Sequence, residues 1–132
     1  MKRVLIVDDN KTLQKIIAKI VGSYLEVLPF GSDGNEGFTL YAALKPDLVL
    51  LDVTMPNCNG KQCLQQIIEF DRQAKVIMVS GLADEGTSQE CMQIGAKAFI
   101  NKNLISLQNA TAENPLVTEI ENVLDLRLLK AG

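Results

Sequence analysis

Five polar side chains in this sequence follow short apolar runs, and their types fit one chemistry. Asp8 and Asp9 follow Arg3-Val4-Leu5-Ile6-Val7, and Asp52 follows Leu48-Val49-Leu50-Leu51. Ser80 follows Lys75-Val76-Ile77-Met78-Val79, and Lys102 follows Lys97-Ala98-Phe99-Ile100-Asn101. Singly, each has an ordinary explanation. Asp8-Asp9-Asn10 can cap a helix, Asp52 and Ser80 can begin turns, and Lys102 can be a surface lysine. Gathered in one crevice, they act differently. Three carboxylates raise one another's pKa unless a cation sits among them. Oxygen ligands with no His or Cys beside them suit a hard divalent ion, Mg2+ first. Mg2+ keeps waters and completes its shell with phosphate oxygens, which a lysine and a hydroxyl also bind. A carboxylate can itself be the nucleophile and form an aspartyl-phosphate. The residues therefore read as a site for Mg2+-assisted phosphorylation of an aspartate.

These side chains share an edge only if the runs are parallel strands joined by right-handed crossovers. Within the strand 47–52 the four residues 48–51 are all aliphatic and are bounded by polar ones, as in a strand buried on both faces, and ligands of open α/β sheets bind beyond the carboxyl ends of such strands. Residues 11–22 switch to helical spacing, with Leu13, Ile16, Ile17, Ile20 and Val21 on one face and Lys11, Lys15 and Lys19 on the other. Gly22 stands where that helix should stop. Residues 25–30 read as a second strand, placed at a sheet edge because Pro29 cannot donate to a ladder. A helix over about 35–45 (Phe38, Tyr41, Ala42 and Leu44) ends at Pro46. After a turn at 56–60, a helix over about 60–70 carries Cys63, Leu64, Ile67 and Ile68. A polar helix over about 85–94 ends at Gly95. The segment 103–114 is long for a connection of this kind, with room for a turn of helix near Leu104 to Leu107. Pro115 opens the last helix, whose core face is Leu116, Ile120, Val123, Leu124 and Leu128.

The chain has 132 residues, 47% of them hydrophobic and 22% charged, which suits one compact domain over 1–132. A net charge of −3 argues against a nucleic-acid-binding surface. No apolar run approaches the ~18 residues of a membrane span, and no signal peptide precedes the first strand, so a cytoplasmic protein is expected. Cys58, Cys63 and Cys91 lack C-x-x-C spacing and read as reduced structural thiols, Cys58 the most exposed. The absence of histidine excludes His-based catalysis and His metal ligands.

Four pieces in order carry a resemblance: Val7-Asp8-Asp9-Asn10, then Pro46-Asp47-Leu48-Val49-Leu50-Leu51-Asp52-Val53-Thr54-Met55-Pro56 with Gly60, then Val79-Ser80-Gly81, then Gly95-Ala96 with Phe99-Ile100 and Lys102. The chain resembles the receiver domain of two-component response regulators, the CheY-like or flavodoxin-like family, from residue 3 to about 102 with the last helix also present. That resemblance implies a doubly wound five-stranded parallel sheet in the order 2-1-3-4-5 with helices on both faces. It implies a signalling switch rather than an enzyme, phosphorylated on Asp52 by a histidine kinase or phosphotransfer protein. Asp9, Asp52 and the backbone carbonyl of Thr54 would hold Mg2+, with Asp8 acting directly or through water. Ser80 would hydrogen-bond the phosphoryl group, Lys102 would ion-pair with it, and Phe99 would be the aromatic that rotates in response. The output face would be the fourth helix, fifth strand and fifth helix, roughly 85–102 and 115–129. The lysine face of the first helix would dock the phosphodonor.

The pattern also departs from the family. Asn103 follows Lys102 where receivers usually have Pro, often after a cis bond, and a cis bond without proline costs about 3 kcal/mol or more. An altered loop over 103–114 and a shortened or displaced fifth helix are expected. Thr54 and Leu82, which flank the site, are neither acids nor amides, which leans toward slow autodephosphorylation. Leu126 and Leu129 lie off the main apolar face and hint at a partner or a phosphorylation-dependent dimer. A phosphorelay intermediate or a receiver cut from a larger regulator has the same signature. A small phosphatase with Asp52 as nucleophile would want an acid at position 54, and a flavin-binding fold would want a Gly- or Ser/Thr-rich first loop. Neither is present.

Overall fold

A computed structural model of the chain describes residues 1–55, 59–81, 85–105 and 114–125. Its elements are β1 (Arg3–Val7), α1 (Lys11–Val21), β2 (Glu26–Val27), α2 (Gly34–Leu44), β3 (Leu48–Asp52), α3 (Gly60–Phe70), β4 (Val76–Ser80), α4 (Glu85–Ile94), β5 (Ala98–Asn101), a 3-10 turn (Lys102–Leu104) and α5 (Pro115–Leu124). All strand pairs are parallel, and the sheet order is β2-β1-β3-β4-β5. This is the doubly wound order expected.

Strand side chains alternate between faces, and each face has its own core. Val4, Ile6, Leu48, Leu50, Ile77 and Val79 pack under α1 and α5. Leu5, Val7, Val49, Leu51, Val76 and Met78 pack under α2, α3 and α4. Every residue of β3 and β4 is buried, which is why those strands read as continuous apolar runs.

Local chemistry sets the helix ends. Asn10, Asp33, Asn59 and Asn114 each accept a backbone N–H at a helix start, and Asn59 with Gln62 forms a reciprocal capping box. Gly22 does close α1, but in an ordinary helical conformation; a Cβ there would lie 2.6 Å from the carbonyl oxygen of Ala18.

Four expectations are corrected. The second strand is only Glu26–Val27, not 25–30, because Pro29 has no N–H. Leu28 and Gly31 still donate to Val4 and Ile6 on either side of it, both at 3.0 Å. On α1 the buried stripe takes in Gln14 and leaves Ile16 half-buried. A turn of helix forms at Lys102–Leu104, directly after β5, and so starts two residues before the Leu104 expected to open it. The last helix ends at Leu124 rather than near 129, where Asp125 takes a left-handed conformation (φ 54°) and donates its N–H to Glu121. The turn residues 56–58 including Cys58, Leu82, the segment 106–113, and Leu126, Leu128 and Leu129 lie outside the described residues. Among the described residues no peptide bond is cis, and Asn103 donates its N–H to the side chain of Asn101 at 2.9 Å. Among them, too, no helix is long and apolar enough to cross a membrane.

One glycine fixes how closely α3 approaches β3. A Cβ on Gly60 would lie 1.8 Å from the carbonyl oxygen of Asp52, whereas one on Gly81 would meet nothing within 4 Å. Gly60→Ala should therefore cost roughly 3 kcal/mol of stability, at the upper end of overpacking penalties. Gly81→Ala should stay within about 0.5 kcal/mol of wild type. Urea midpoints check this; equal effects would contradict the close approach.

Candidate functional site: the acidic cleft at the carboxyl edge

Strand register brings the polar residues together. Val7 lies opposite Leu51, Asp52 opposite Val79, and Ser80 opposite Asn101. Asp8, Asp52, Ser80 and Lys102 thus emerge side by side along one edge of four strands. Asp9 and Asn10 belong to the turn between β1 and α1. Of the two roles open to that turn, Asn10 does the capping, accepting the N–H of Leu13 at 3.1 Å. The two acids are left for the cleft, which is lined by Asp9, Asn10, Asp52, Thr54, Gly81 and Lys102.

Within it the carboxylate oxygens of Asp8, Asp9 and Asp52 lie within 4.8 Å of one another. Asp8 and Asp52 are each 2% exposed, and Asp9 is exposed. Lys102 Nζ bridges the buried pair, 3.0 Å from Asp8 Oδ2 and 3.1 Å from Asp52 Oδ2. The N–H of Asn10 donates to Asp8 Oδ1 at 2.8 Å, and that of Thr54 reaches Asp52 Oδ1 at 3.4 Å. Ser80 is buried at the same edge.

Electrostatics follow from this packing. Burial, reinforced by the charge of Asp8, pushes the Asp52 carboxyl up to about 6, against the opposing pull of Lys102 and the Thr54 N–H. Burial alone would lower the Lys102 ammonium, but its two carboxylate partners outweigh that and raise it. One ammonium cannot balance three carboxylates, so a second cation is electrostatically favoured. The donor set fits a hard ion. Its atoms are all oxygens, their spacing approaches the ~4.2 Å between opposite corners of a Mg2+ octahedron, and Asp9 leaves one side open for waters. Cys63 and Cys91 are buried in the core beneath α3 and α4 and do not belong to the oxygen donor set.

Phe99 is not part of the cluster. It is half-buried, packs against the core under α4, and lines a groove with Ser88, Met92, Lys97, Pro115 and Glu119. The sequence reading passed over Gln14, whose amide reaches the backbone beneath the cleft. Its spacing with Ile17 and Val21, at i, i+3 and i+7, is the signal that could have placed it on the buried face.

A five-stranded sheet in this order, with three acids, a hydroxyl and a lysine at its carboxyl edge, defines a receiver. The sequence matches the response regulator receiver domain over residues 4–111, and the chain belongs to that family, whose members are signalling switches rather than conventional enzymes. It is 41% identical over 105 residues to the chemotaxis protein CheY of Treponema pallidum, covering 77% of this chain and 73% of that protein. CheY of Bacillus subtilis is 37% identical over 101 residues, covering 76% and 84%. Among solved structures, the response regulator domain of Thermotoga maritima CheB superposes with a TM-score of 0.84 at 34% identity, covering 96% of this chain and 98% of that one. A chain of the CheX–CheY–BeF3–Mg2+ complex from Borrelia burgdorferi gives 0.83 at 34% identity, covering 92% and 88%.

The raised Asp52 carboxyl has a pH signature. Folded chains hold this proton more tightly than unfolded ones, whose ordinary value is 3.8. The contribution of this group to stability is therefore fully present below about pH 4 and is lost as pH rises toward about 6. Asp52→Asn should make the metal-free protein more stable at pH 7.5, by on the order of 1 kcal/mol. That gain should shrink between pH 6 and pH 4. Thermal melts across pH check it; a variant less stable than wild type at pH 7.5 would contradict the electrostatic account.

Proposed function

We propose that the chain is a phosphorylatable response regulator that accepts a phosphoryl group on Asp52 and answers by changing which partner it binds. The observation that carries this reading is the bridge from Lys102 to Asp8 and Asp52 beside the exposed Asp9. It joins a buried nucleophile, a cation for the phosphoryl oxygens and a ligand set for a divalent ion. Asp9, Asp52 and the carbonyl of Thr54 would hold Mg2+, with Asp8 contributing directly or through water. Bound there, Mg2+ supplies charge neutralisation for the transferring phosphoryl group.

The remaining work falls to the chain. A carboxylate oxygen of Asp52 attacks phosphorus; the O–P bond forms as the P–N bond of a phosphohistidine donor breaks, and the electron pair leaves with the imidazole. Even with its carboxyl pushed up to about 6, Asp52 is mostly ionised at neutral pH. Lys102 exchanges its Asp52 partner for a phosphoryl oxygen, and the Ser80 hydroxyl donates to another. The product carries roughly −1.5 to −2 charges where Asp52 had one. The donor, a histidine kinase or phosphotransfer protein, docks beside Asp9 on the face of α1 that exposes Lys11, Lys15 and Lys19.

The signal leaves through α4, β5 and α5. Phe99 has no hydroxyl to desolvate, so its inward rotamer is accessible without phosphorylation and its coupling to the site is loose. Structures with and without beryllofluoride, a phosphoryl mimic, should show mixed Phe99 rotamers in both; a strict correlation with the mimic would refute loose coupling.

The reading itself is tested by adding beryllofluoride and Mg2+ to the protein and following backbone amide resonances. Shifts should begin at Asp52, Thr54, Ser80 and Lys102 and extend to α4 and β5, and Asp52→Asn should give none. An unresponsive wild-type protein would contradict the proposal.

A further inference from the structure

Helix α1 buries one polar residue among apolar ones. Gln14 shares the covered face with Leu13, Ile17, Ile20 and Val21 and is only 4% exposed. An amide is costly to bury unless it is bonded, and this one is bonded to a single spot. Its Nε2 donates to the carbonyl oxygen of Asp8 and lies 3.3 Å from that of Gly31. The N–H of Asp8 donates to the same Gly31 carbonyl at 2.9 Å. Both backbone groups of Asp8 are thus tied to the loop that follows β2, one directly and one through Gln14.

The carbonyl of Asp8 lies in the peptide plane that also contains the nitrogen and Cα of Asp9. Fixing that carbonyl fixes the point from which the Asp9 side chain departs. Asp8 has other anchors, since its carboxylate is held by the Asn10 N–H and by Lys102, and Asp52 is held by Lys102 and the Thr54 N–H. Asp9 is exposed, and among the described residues no hydrogen bond or ion pair holds its carboxylate. Its place in the cluster depends on the backbone.

We propose that Gln14 is a positioning residue of the acidic cleft. Its amide clamps the Asp8–Asp9 peptide to the Gly31 loop and so sets the distance of the Asp9 carboxylate from those of Asp8 and Asp52. The inference rests on the reading of that cluster as a Mg2+ site. Mg2+ demands near-ideal octahedral geometry, and groups that orient metal ligands typically change affinity 10- to 100-fold when removed. A clamp on the ligand-bearing peptide belongs in that class, whereas a residue that only fills the core does not.

The test compares wild type with Gln14→Met, which keeps the length and volume and removes the donor. Calorimetric titration with MgCl2 should give a dissociation constant about tenfold or more higher for the folded variant. Phosphorylation by acetyl phosphate should need correspondingly more Mg2+ for half-saturation, while the rate at saturating Mg2+ stays within about threefold of wild type. A merely structural glutamine would lower the melting temperature and leave the dissociation constant of the folded protein unchanged. That result would overturn the proposal. If wild type binds no Mg2+, the metal reading fails and the positioning role falls with it. If Gln14→Met does not fold, wild type decides through the Gln14 side-chain amide resonances. They should shift along the same Mg2+ isotherm as the Asp9 amide, and resonances that stay in place would overturn the clamp.

Discussion

Two carboxylates sit side by side in the interior of this protein because one ammonium stands between them. Lys102 Nζ is 3.0 Å from Asp8 and 3.1 Å from Asp52, both of which are almost wholly buried. A buried ion pair adds little net stability, but removing the ammonium would leave two buried carboxylates uncompensated, at a cost of about 3–5 kcal/mol. The arrangement is therefore held under electrostatic tension. Burial and Asp8 raise Asp52, Lys102 opposes them, and Asp9 adds a third negative charge at the mouth of the cleft. A site in that condition responds to any ligand that changes its charge, which is the physical requirement for a switch driven by a divalent cation and a phosphoryl group.

The scaffold serves to bring distant parts of the chain to this edge. Parallel register carries β1, β3, β4 and β5 to the same level, so residues 8, 52, 80 and 102 become neighbours. Gly60 lets α3 begin against the carbonyl of Asp52, where a larger residue would collide. Asn10 caps α1 and leaves Asp8 and Asp9 facing the cleft. Lys61 on α3 pairs with Glu90 on α4, bracing the two helices that flank the β3 and β4 ends.

Much of this was legible from residue order, because a strand buried on both faces cannot hide its end. Leu48 to Leu51 are wholly apolar, and Asp52 marks the point where that apolar run ends. The same abrupt change at Asp8, Ser80 and Lys102, together with the receiver motifs, located the cleft. What escaped were features decided by geometry between segments. Gln14 is polar, so polarity argued for the surface, yet its partners are backbone carbonyls of Asp8 and Gly31 that carry no sequence pattern. Ile16 does pack against the core but stays half-buried, because it lies at the border of the helical stripe. Pro29 placed β2 at the edge, and its missing N–H also interrupts the ladder, so the strand is shorter than its apolar run. Asp125 ends α5 by adopting a left-handed conformation that many aspartates never adopt.

The central claim is that Asp52 is a phosphoacceptor served by a divalent cation, and the direct measurement is the intact mass after incubation with acetyl phosphate. With Mg2+ present, wild type should gain about 80 Da, the mass of one phosphoryl group. The gain should vanish on chelation and be absent from Asp52→Asn. No gain in wild type, under conditions that modify a known receiver, would mean that the fold and its cleft persist without the chemistry. A gain that survives Asp52→Asn would place the nucleophile elsewhere. Either result would contradict the account.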